Sequence, residues 1–130
     1  MKPAYALVLA AAVFGTMATT RANAQARHFQ APLPCNRACL IALADDYLAA
    51  LVAHNPKAVP LANNLKFVEN TVPMKPGEGL WTTATAVPTA FALHVPDPVA
   101  GQIGFIGMLE EAGKPIQLGL RLKVANGAIT

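Results

Sequence analysis

Apolar side chains recur at two different spacings along this sequence, and the first spacing is helical. Residues 35–54, CNRACLIALADDYLAALVAH, carry apolar side chains three and four positions apart, which is the pattern of an amphipathic helix. The apolar stripe consists of Cys39, Leu40, Leu43, Tyr47 and Leu51, with Leu48 at its margin. Asp45 and Asp46 fall largely on the opposite side. We expect the helix to end near His54, because the Asn55–Pro56 step disfavours helical backbone and removes a donor.

The remainder of the chain has the composition of β-strands, with β-branched and aromatic residues between glycines and prolines. Five strands are predicted, at residues 65–70, 79–87, 89–95, 101–111 and 115–124. Turns are predicted at Pro76–Gly77, Asp97–Pro98, Ala112–Gly113 and Asn126–Gly127. One helix followed by successive antiparallel strands predicts an α+β fold, in which a curved antiparallel sheet wraps around the N-terminal helix.

Two further expectations concern this sheet. The core of the sheet is expected to contain Phe67, Phe91, Phe105, Met108 and Leu120. The turn at Asn126–Gly127 requires a returning strand, yet only Ala128, Ile129 and Thr130 follow it. We therefore expect the sequence to end within, or just before, its last strand.

The first 24 residues have the order of a secretory signal peptide. A basic start precedes an uncharged apolar stretch, residues 4–18, and the polar run TTRANAQA follows. The apolar stretch is shorter than the roughly 20 residues that a membrane-spanning helix needs. Cleavage is expected after Ala24 or Ala26, which leaves an extended lead-in, residues 25–34, and one domain, residues 35–130. The protein is thus predicted to be secreted or periplasmic, with no membrane span after cleavage.

Loss of that segment changes the charge and the size of the chain. Cutting 24 residues from a chain of 130 leaves 106, enough for one domain and too few for two. The ten Lys and Arg fall to eight, against seven Asp and Glu, so the net charge drops from +3 to about +1. No basic patch remains to indicate nucleic-acid binding. The sequence has no phosphate loop, nucleophile elbow or dinucleotide fingerprint, so no cofactor is expected.

Cys35 and Cys39 are the only cysteines, and both lie at the predicted start of the helix. In an exported protein, two cysteines indicate a disulfide. An ideal helix separates Cα atoms four residues apart by about 6 Å, within the range that a disulfide tolerates. The alternatives are free or packed thiols, and a metal or redox use, for which the CxxxC spacing is less suitable. The three histidines are not spaced as zinc ligands, so no metal site is predicted.

Residues 47–70, YLAALVAHNPKAVPLANNLKFVEN, resemble the opening of SnoaL-like proteins, part of the nuclear transport factor 2-like superfamily. In those proteins a helix ends in a His-Asp or His-Asn element before the first strand. The GEGLW segment, residues 77–81, and the closing strand pair look like a group of uncharacterised secreted proteins within that superfamily. The resemblance covers residues 35–130. It implies a cystatin-like cone with a cavity between helix and sheet, and homodimers that pair through the sheet.

Members of that superfamily use the cavity in different ways, so the resemblance does not select a function. Some are isomerases, dehydratases, cyclases or epoxide hydrolases, whereas others bind ligands or dimerise. This sequence shows no Asp–His pair at the spacing of the ketosteroid isomerase or dehydratase sites. No catalytic residue is therefore carried over from the resemblance.

Glu69 and His94 are the candidate catalytic residues. Glu69 ends the first predicted strand, and a carboxylate at the mouth of an apolar pocket can act as a general acid or base. The alternative is a solvated residue beside a turn. His94 lies between Leu93 and Val95 in a predicted strand and faces either a cavity or solvent. His54, at the helix end, is expected to complement the helix dipole or cap its carbonyls.

Tyr47, Trp81 and Asn70 are the candidate ligand contacts. Tyr47 lies on the apolar stripe of the helix, and its hydroxyl needs a partner when buried. Trp81 follows a glycine-rich approach to a strand, which suits a pocket wall or a lid. For both aromatic residues the plain alternative is core packing.

Two functions remain open from the sequence. The first is a non-catalytic exported domain that binds a small apolar ligand, or a protein partner through its cavity or sheet face. The second is a cofactor-independent lyase, isomerase or hydrolase that uses Glu69, with Tyr47 or His94 orienting the substrate.

Overall fold

The computed structural model describes residues 34–88 and 90–130. The predicted signal peptide, both of its cleavage sites and all of the lead-in except Pro34 lie outside the described residues. Within them the fold is α+β, with one long helix, one short helix and two antiparallel sheets. None of the helices in the described part of the chain is long and apolar enough to cross a bilayer.

The first helix, α1, spans Arg37–Val52 and begins where the sequence supplies a cap. The side chain of Asn36 accepts a hydrogen bond from the backbone N–H of Cys39 at 3.0 Å, which satisfies a donor that the first helical turn leaves free. The helix ends at Val52. Two residues later His54 has a φ of +54°, and a 3₁₀ turn follows at Pro56–Ala58. The predicted helix is confirmed and is two residues shorter at each end.

The predicted disulfide joins Cys35 to Cys39, whose Cα atoms are 5.3 Å apart. The bond connects the residue before the cap to the first turn of α1. Because the closed loop is so short, the chain-entropy argument gives it a small effect on the whole domain. Cys35 also packs against the hydrophobic core, so the disulfide fixes the start of α1 to the domain.

A small hairpin follows α1. Strand β1, Phe67–Glu69, pairs with strand β2, Val72–Met74, across a turn in which Asn70 and Thr71 have φ of 48° and 70°. β1 lies inside the first predicted strand. β2 was not predicted, because Pro73 cannot donate to a strand ladder and its presence indicates a break.

The prediction of one strand over residues 79–87 is wrong in its first half. Leu80–Thr83 form a short helix, α2, and only Ala84–Ala86 are extended, as strand β3. Gly79 has φ of +62°, a conformation that other residues rarely adopt. In addition, the carboxylate of Glu69 accepts a hydrogen bond of 2.9 Å from the backbone N–H of Leu80, the first residue of α2. These tertiary constraints override the strand preference of a threonine-rich segment.

The larger sheet is built around a central strand. Its remaining strands are β4 at Ala92–Asp97, β5 at Gln102–Glu111, β6 at Lys114–Ala125 and β7 at Ala128–Ile129. β5 pairs with β6 on one side and with β4 and β3 on the other, always antiparallel. The predicted turns at Ala112–Gly113 and Asn126–Gly127 are confirmed as the β5–β6 and β6–β7 connections. The strand predicted at 89–95 instead begins at Ala92 and ends at Asp97.

The strand register assigns side chains to two faces of this sheet. The inner face, against which α1 packs, carries Ala92, His94, Pro96, Ile103, Phe105, Leu109, Leu118, Leu120 and Leu122. Ile103 and Phe105 are 1 % and 2 % exposed. Burial of one such side chain stabilises the fold by about 1.5–3 kcal/mol.

The outer face is partly apolar, and no helix of the described chain covers it. Phe91, Leu93, Val95 and Ile106 are each between 42 % and 57 % exposed. The prediction that Phe91 lies in the core is therefore wrong. Phe105 fills the inner position, with its ring against Gly107, where a Cβ would collide with that ring and with the backbone carbonyl of Phe91. Of the other predicted core residues, Phe105 is buried and Phe67, Met108 and Leu120 are half-buried.

Candidate functional site

Two recesses flank α1. The first, here named the α1–β4 cavity, has a volume of about 280 Å³ and is lined by Asp45, Leu48, Ala49, Val87, Pro88, Ala92, His94 and Phe105. The second, here named the β6 groove, consists of two adjoining spaces of about 280 and 340 Å³ between β1 and β6. Both of those spaces are lined by Tyr47, Phe67, Val68, Gly119 and Leu120.

A histidine–carboxylate pair lies at the wall of the α1–β4 cavity. His94 Nε2 is 2.8 Å from Asp45 Oδ1, which joins α1 to β4 across 49 residues of sequence. The side chain of His94 is 19 % exposed and that of Asp45 is 57 % exposed. The imidazole also packs edge-on against Phe105, with ring centroids 5.1 Å apart. Two neighbours therefore fix the orientation of the His94 ring.

The chemistry of this pair follows from its hydrogen bond. A carboxylate can only accept, so His94 Nε2 carries the hydrogen and donates it to Asp45. In the neutral imidazole, Nδ1 is then an acceptor, and within the described residues it makes no hydrogen bond. The other side chains that line the cavity are apolar. The α1–β4 cavity therefore combines largely apolar walls with one oriented histidine ring.

The β6 groove has acidic and basic ends. Glu69 and Glu111 line one of its two spaces, together with Asn70. Lys66, Arg121 and Lys123 line the other. Tyr47 lines both, at the helix side of the groove. The groove is thus a channel between two strand edges with opposite charge at its ends.

Glu69 has a structural contact in the groove. Its carboxylate accepts the N–H of Leu80, and it lies so close to Gly79 that a Cβ there would collide with it. The residue is half-buried and lines the groove beside Asn70. The carboxylate therefore holds the start of α2.

Tyr47 and Trp81 form an aromatic pair at the centre of the molecule. Their rings meet edge to face with centroids 5.2 Å apart, and Trp81 is 1 % exposed. Trp81 lies behind Tyr47, away from the lining of either recess. Its indole N–H is buried without a hydrogen-bond partner in the described structure. The carbonyl of Trp81 lies 2.5 Å from His54 Nδ1, which places His54 between the end of α1 and α2.

Burial raises the pKa of Tyr47 from 10.0 to about 12. The indole N–H of Trp81 opposes this shift, although its contact with the hydroxyl falls short of hydrogen-bond geometry. The negative charge of Glu69 adds to the shift. Tyr47 is therefore a neutral hydroxyl at the floor of the groove throughout the physiological range.

The structure separates residues that the sequence analysis grouped. Tyr47, Glu69 and Asn70 line the β6 groove, whereas His94 lies in the α1–β4 cavity. Asp45 was assigned to an exposed helix face, which is where it lies, and its contact with His94 was not predicted. The described residues contain no group of three or more His, Cys, Asp or Glu side chains that could hold a metal ion.

The model of a protein family described as Domain of unknown function (DUF8021) matches residues 34–127. The chain belongs to this family. No curated protein and no solved structure matches the chain. In this DUF8021 chain the matched range includes α1 and both recesses, apart from the end of the groove at Ile129 and Thr130.

The titration of Tyr47 provides the first testable prediction. Tyr47 stays protonated in the folded protein until close to pH 12, whereas the unfolded chain ionises near pH 10. Above pH 10 the unfolded state therefore loses its proton first, and the free energy of unfolding falls between pH 10 and 12, by roughly 2 kcal/mol. That stability is present in full below pH 10. Urea unfolding across this range measures the decline.

Tyr47→Phe is the matched variant, since it keeps the ring and removes the ionising group. It should unfold with a shallower pH dependence between pH 10 and 12. The only other tyrosine is Tyr5, in the predicted signal segment, so the phenolate absorbance of the cleaved protein reports on Tyr47 alone. Phenolate absorbance that appears near pH 10 in the folded protein would contradict the assignment.

Proposed function

We propose that this protein is an exported binding domain that holds a small apolar ligand in the α1–β4 cavity, with His94 as the polar anchor. The observation that carries the proposal is the His94–Asp45 pair at the wall of an otherwise apolar cavity. The volume of about 280 Å³ is close to the lower end of ligand pockets, roughly 300 Å³. The ligand is therefore a small molecule.

The polar anchor determines which small molecules bind best. Asp45 accepts a hydrogen bond from His94 Nε2–H, so the other ring nitrogen, Nδ1, has a lone pair. A ligand hydroxyl can donate to this nitrogen while the rest of the molecule contacts Leu48, Val87 and Phe105. We infer that the ligand is an apolar ring or short chain with a single hydroxyl group.

Calorimetry with 1-naphthol and naphthalene tests this inference. Wild-type protein should bind 1-naphthol more tightly than naphthalene, because only the hydroxyl reaches His94. His94→Phe keeps an aromatic ring against Phe105 and should weaken 1-naphthol binding by about tenfold, the value of one hydrogen bond to an oriented partner. Its affinity for naphthalene should be unchanged.

Asp45→Asn and Asp46→Asn form a matched pair of variants. Both aspartates are exposed on α1, but only Asp45 contacts His94. Asp45→Asn should weaken 1-naphthol binding and Asp46→Asn should not. Equal binding of the two ligands by all variants would overturn the proposed anchor.

Export and the wider fold belong to the same proposal. The Cys35–Cys39 disulfide supports a location outside the reducing cytosol, in a periplasm or an extracellular space. The position of α1 on the inner face of an antiparallel sheet supports the proposed cone of SnoaL-like proteins. In that arrangement the α1–β4 cavity lies between helix and sheet, where the resemblance implies a ligand site.

The outer face of the sheet supports pairing with a second copy. Phe91, Leu93, Val95 and Ile106 form an exposed apolar patch, and large exposed patches of this kind mark interaction surfaces. The positions across from Val95 and Ile106 in the register are Gly104 and Gly119. Their lack of side chains leaves this face flat enough for another sheet to pack on it.

Sedimentation equilibrium measures this association. Wild-type protein should sediment as a dimer at micromolar concentration, and Leu93→Asp should shift it to the monomer because a carboxylate would be buried in the patch. Val99→Asp is the control, since Val99 is 99 % exposed in the turn after β4. A wild-type monomer, or a dimer that tolerates Leu93→Asp, would contradict pairing through this face.

A second candidate function is favoured by the same histidine–carboxylate pair. With Asp45 stabilising the charged ring, His94 Nδ1 could take a proton from carbon next to a carbonyl, as a cofactor-independent isomerase or lyase requires. Glu69 has no role in this second candidate function, because its carboxylate lies in the β6 groove and accepts a hydrogen bond from the N–H of Leu80.

Proton exchange on an apolar ketone tests the second candidate. If His94 is a general base, the protein should speed exchange of the acetophenone methyl protons with D₂O, as measured by NMR. His94→Gln and Asp45→Asn should each lower the rate by a hundredfold or more, whereas Asp46→Asn should leave it unchanged. Exchange at the buffer rate would exclude this use of His94 and leave the binding proposal in place.

A further inference from the structure

Among residues 34–88 and 90–130, little of the chain pairs with the outer edge of β6. β6 pairs with β5 along its length, from Lys114 to Lys123. On its other edge, the pairing seen in the described part of the chain is that of Val124 and Ala125 with β7. The β6 groove follows this edge, because its two spaces are lined by consecutive residues from Ile116 to Lys123. Consecutive lining residues identify the strand edge, since one face would contribute only alternate residues.

The direction of the free backbone groups follows from the observed pairing. Lys123 O accepts the N–H of Thr130 at 2.9 Å, so the backbone of Lys123 faces the β7 side. Because backbone direction alternates along a strand, Arg121, Gly119 and Gln117 present their N–H and C=O on that same edge. Within the described residues none of these groups has a backbone partner.

The opposite wall of the groove is also a strand. β1 pairs with β2 on one side, and Phe67 and Val68 line the groove. At one end the groove reaches Ile129 and Thr130, so it continues the line of β7. The groove is therefore a gap between two strands, with unpaired β6 backbone along one side and Tyr47 at its floor.

We propose that the β6 groove binds one extended peptide segment, which adds to β6 as an antiparallel strand. Main-chain hydrogen bonds from Arg121, Gly119 and Gln117 would hold the peptide, as in other cases of strand addition. This site is separate from the α1–β4 cavity and does not depend on the function proposed for it.

The groove specifies the peptide's charge and side-chain pattern. An antiparallel peptide begins beside Arg121 and Lys123 and ends beside Glu69 and Glu111. Its first residue is therefore acidic and its last basic. Alternate side chains point inward beside Leu118 and Leu120, so they are apolar.

The peptide acetyl-EVTVTVK-amide, labelled for fluorescence anisotropy, has this pattern. Binding to the wild-type protein is expected at micromolar peptide or below. Methylation of the backbone nitrogens of both threonines should weaken binding by tenfold or more, because those N–H groups face β6. The charge-reversed peptide KVTVTVE should bind severalfold more weakly at low salt, and the difference should shrink at high salt.

Two substitutions at one position separate edge pairing from general loss of structure. Gly119 has open space around it, and its N–H faces the groove. Gly119→Pro removes that N–H and leaves the β5 ladder intact, so it should weaken peptide binding by about tenfold. Gly119→Ala keeps the N–H and should bind as the wild type does. Circular dichroism of both variants checks the fold.

The methylated peptide is decisive even if Gly119→Pro fails to fold. Equal binding of the methylated and unmethylated peptides would overturn strand addition, as would the absence of binding to folded wild-type protein. Neither result bears on 1-naphthol binding in the α1–β4 cavity, so the two proposals fail independently.

Discussion

Burial of the apolar stripe of α1 against the inner face of the sheet is the contact on which the rest of the structure depends. Leu40 and Ala44 are fully buried in it. Tyr47 belongs to this stripe and Asp45 lies outside it, because the two are two residues apart and a helix turns about 200° over that distance. One residue therefore lies towards β4 and the other towards β6. The helix creates the two recesses by covering the middle of the sheet and leaving both sides open.

Features of this structure that depend on local residue patterns could be predicted from the sequence, whereas features that depend on distant contacts could not. The long helix, strands β5 and β6, their turns and the disulfide depend on periodicity, on turn residues and on two nearby cysteines, so they were predicted. The helix α2 depends on Glu69, which is eleven residues before Leu80. The pairing of Asp45 with His94 spans 49 residues. Residue patterns in short windows contain no signal for contacts of this range.

The candidate site illustrates the same limit. Of the three ligand contacts that the sequence predicts, Tyr47 and Asn70 line the β6 groove beside Glu69, whereas Trp81 is buried behind Tyr47. His94 was identified as a residue of interest without its partner, because Asp45 has the pattern of an ordinary solvated helix residue. Phe91 shows the opposite error, a core residue predicted where the structure has an exposed one. An aromatic residue in a strand favours a core position, but Phe105 occupies that position here.

The contact between Glu69 and Gly79 constrains how this chain can change over evolutionary time. Any side chain at position 79 would collide with the carboxylate at position 69 and would also need a backbone conformation that favours glycine. A shorter residue at position 69 would relieve the collision but would free the N–H of Leu80. Each single replacement is thus unfavourable in the presence of the other native residue. A chain that keeps α2 therefore has little freedom at either position, because one replacement strains the backbone and the other leaves the Leu80 N–H without its acceptor.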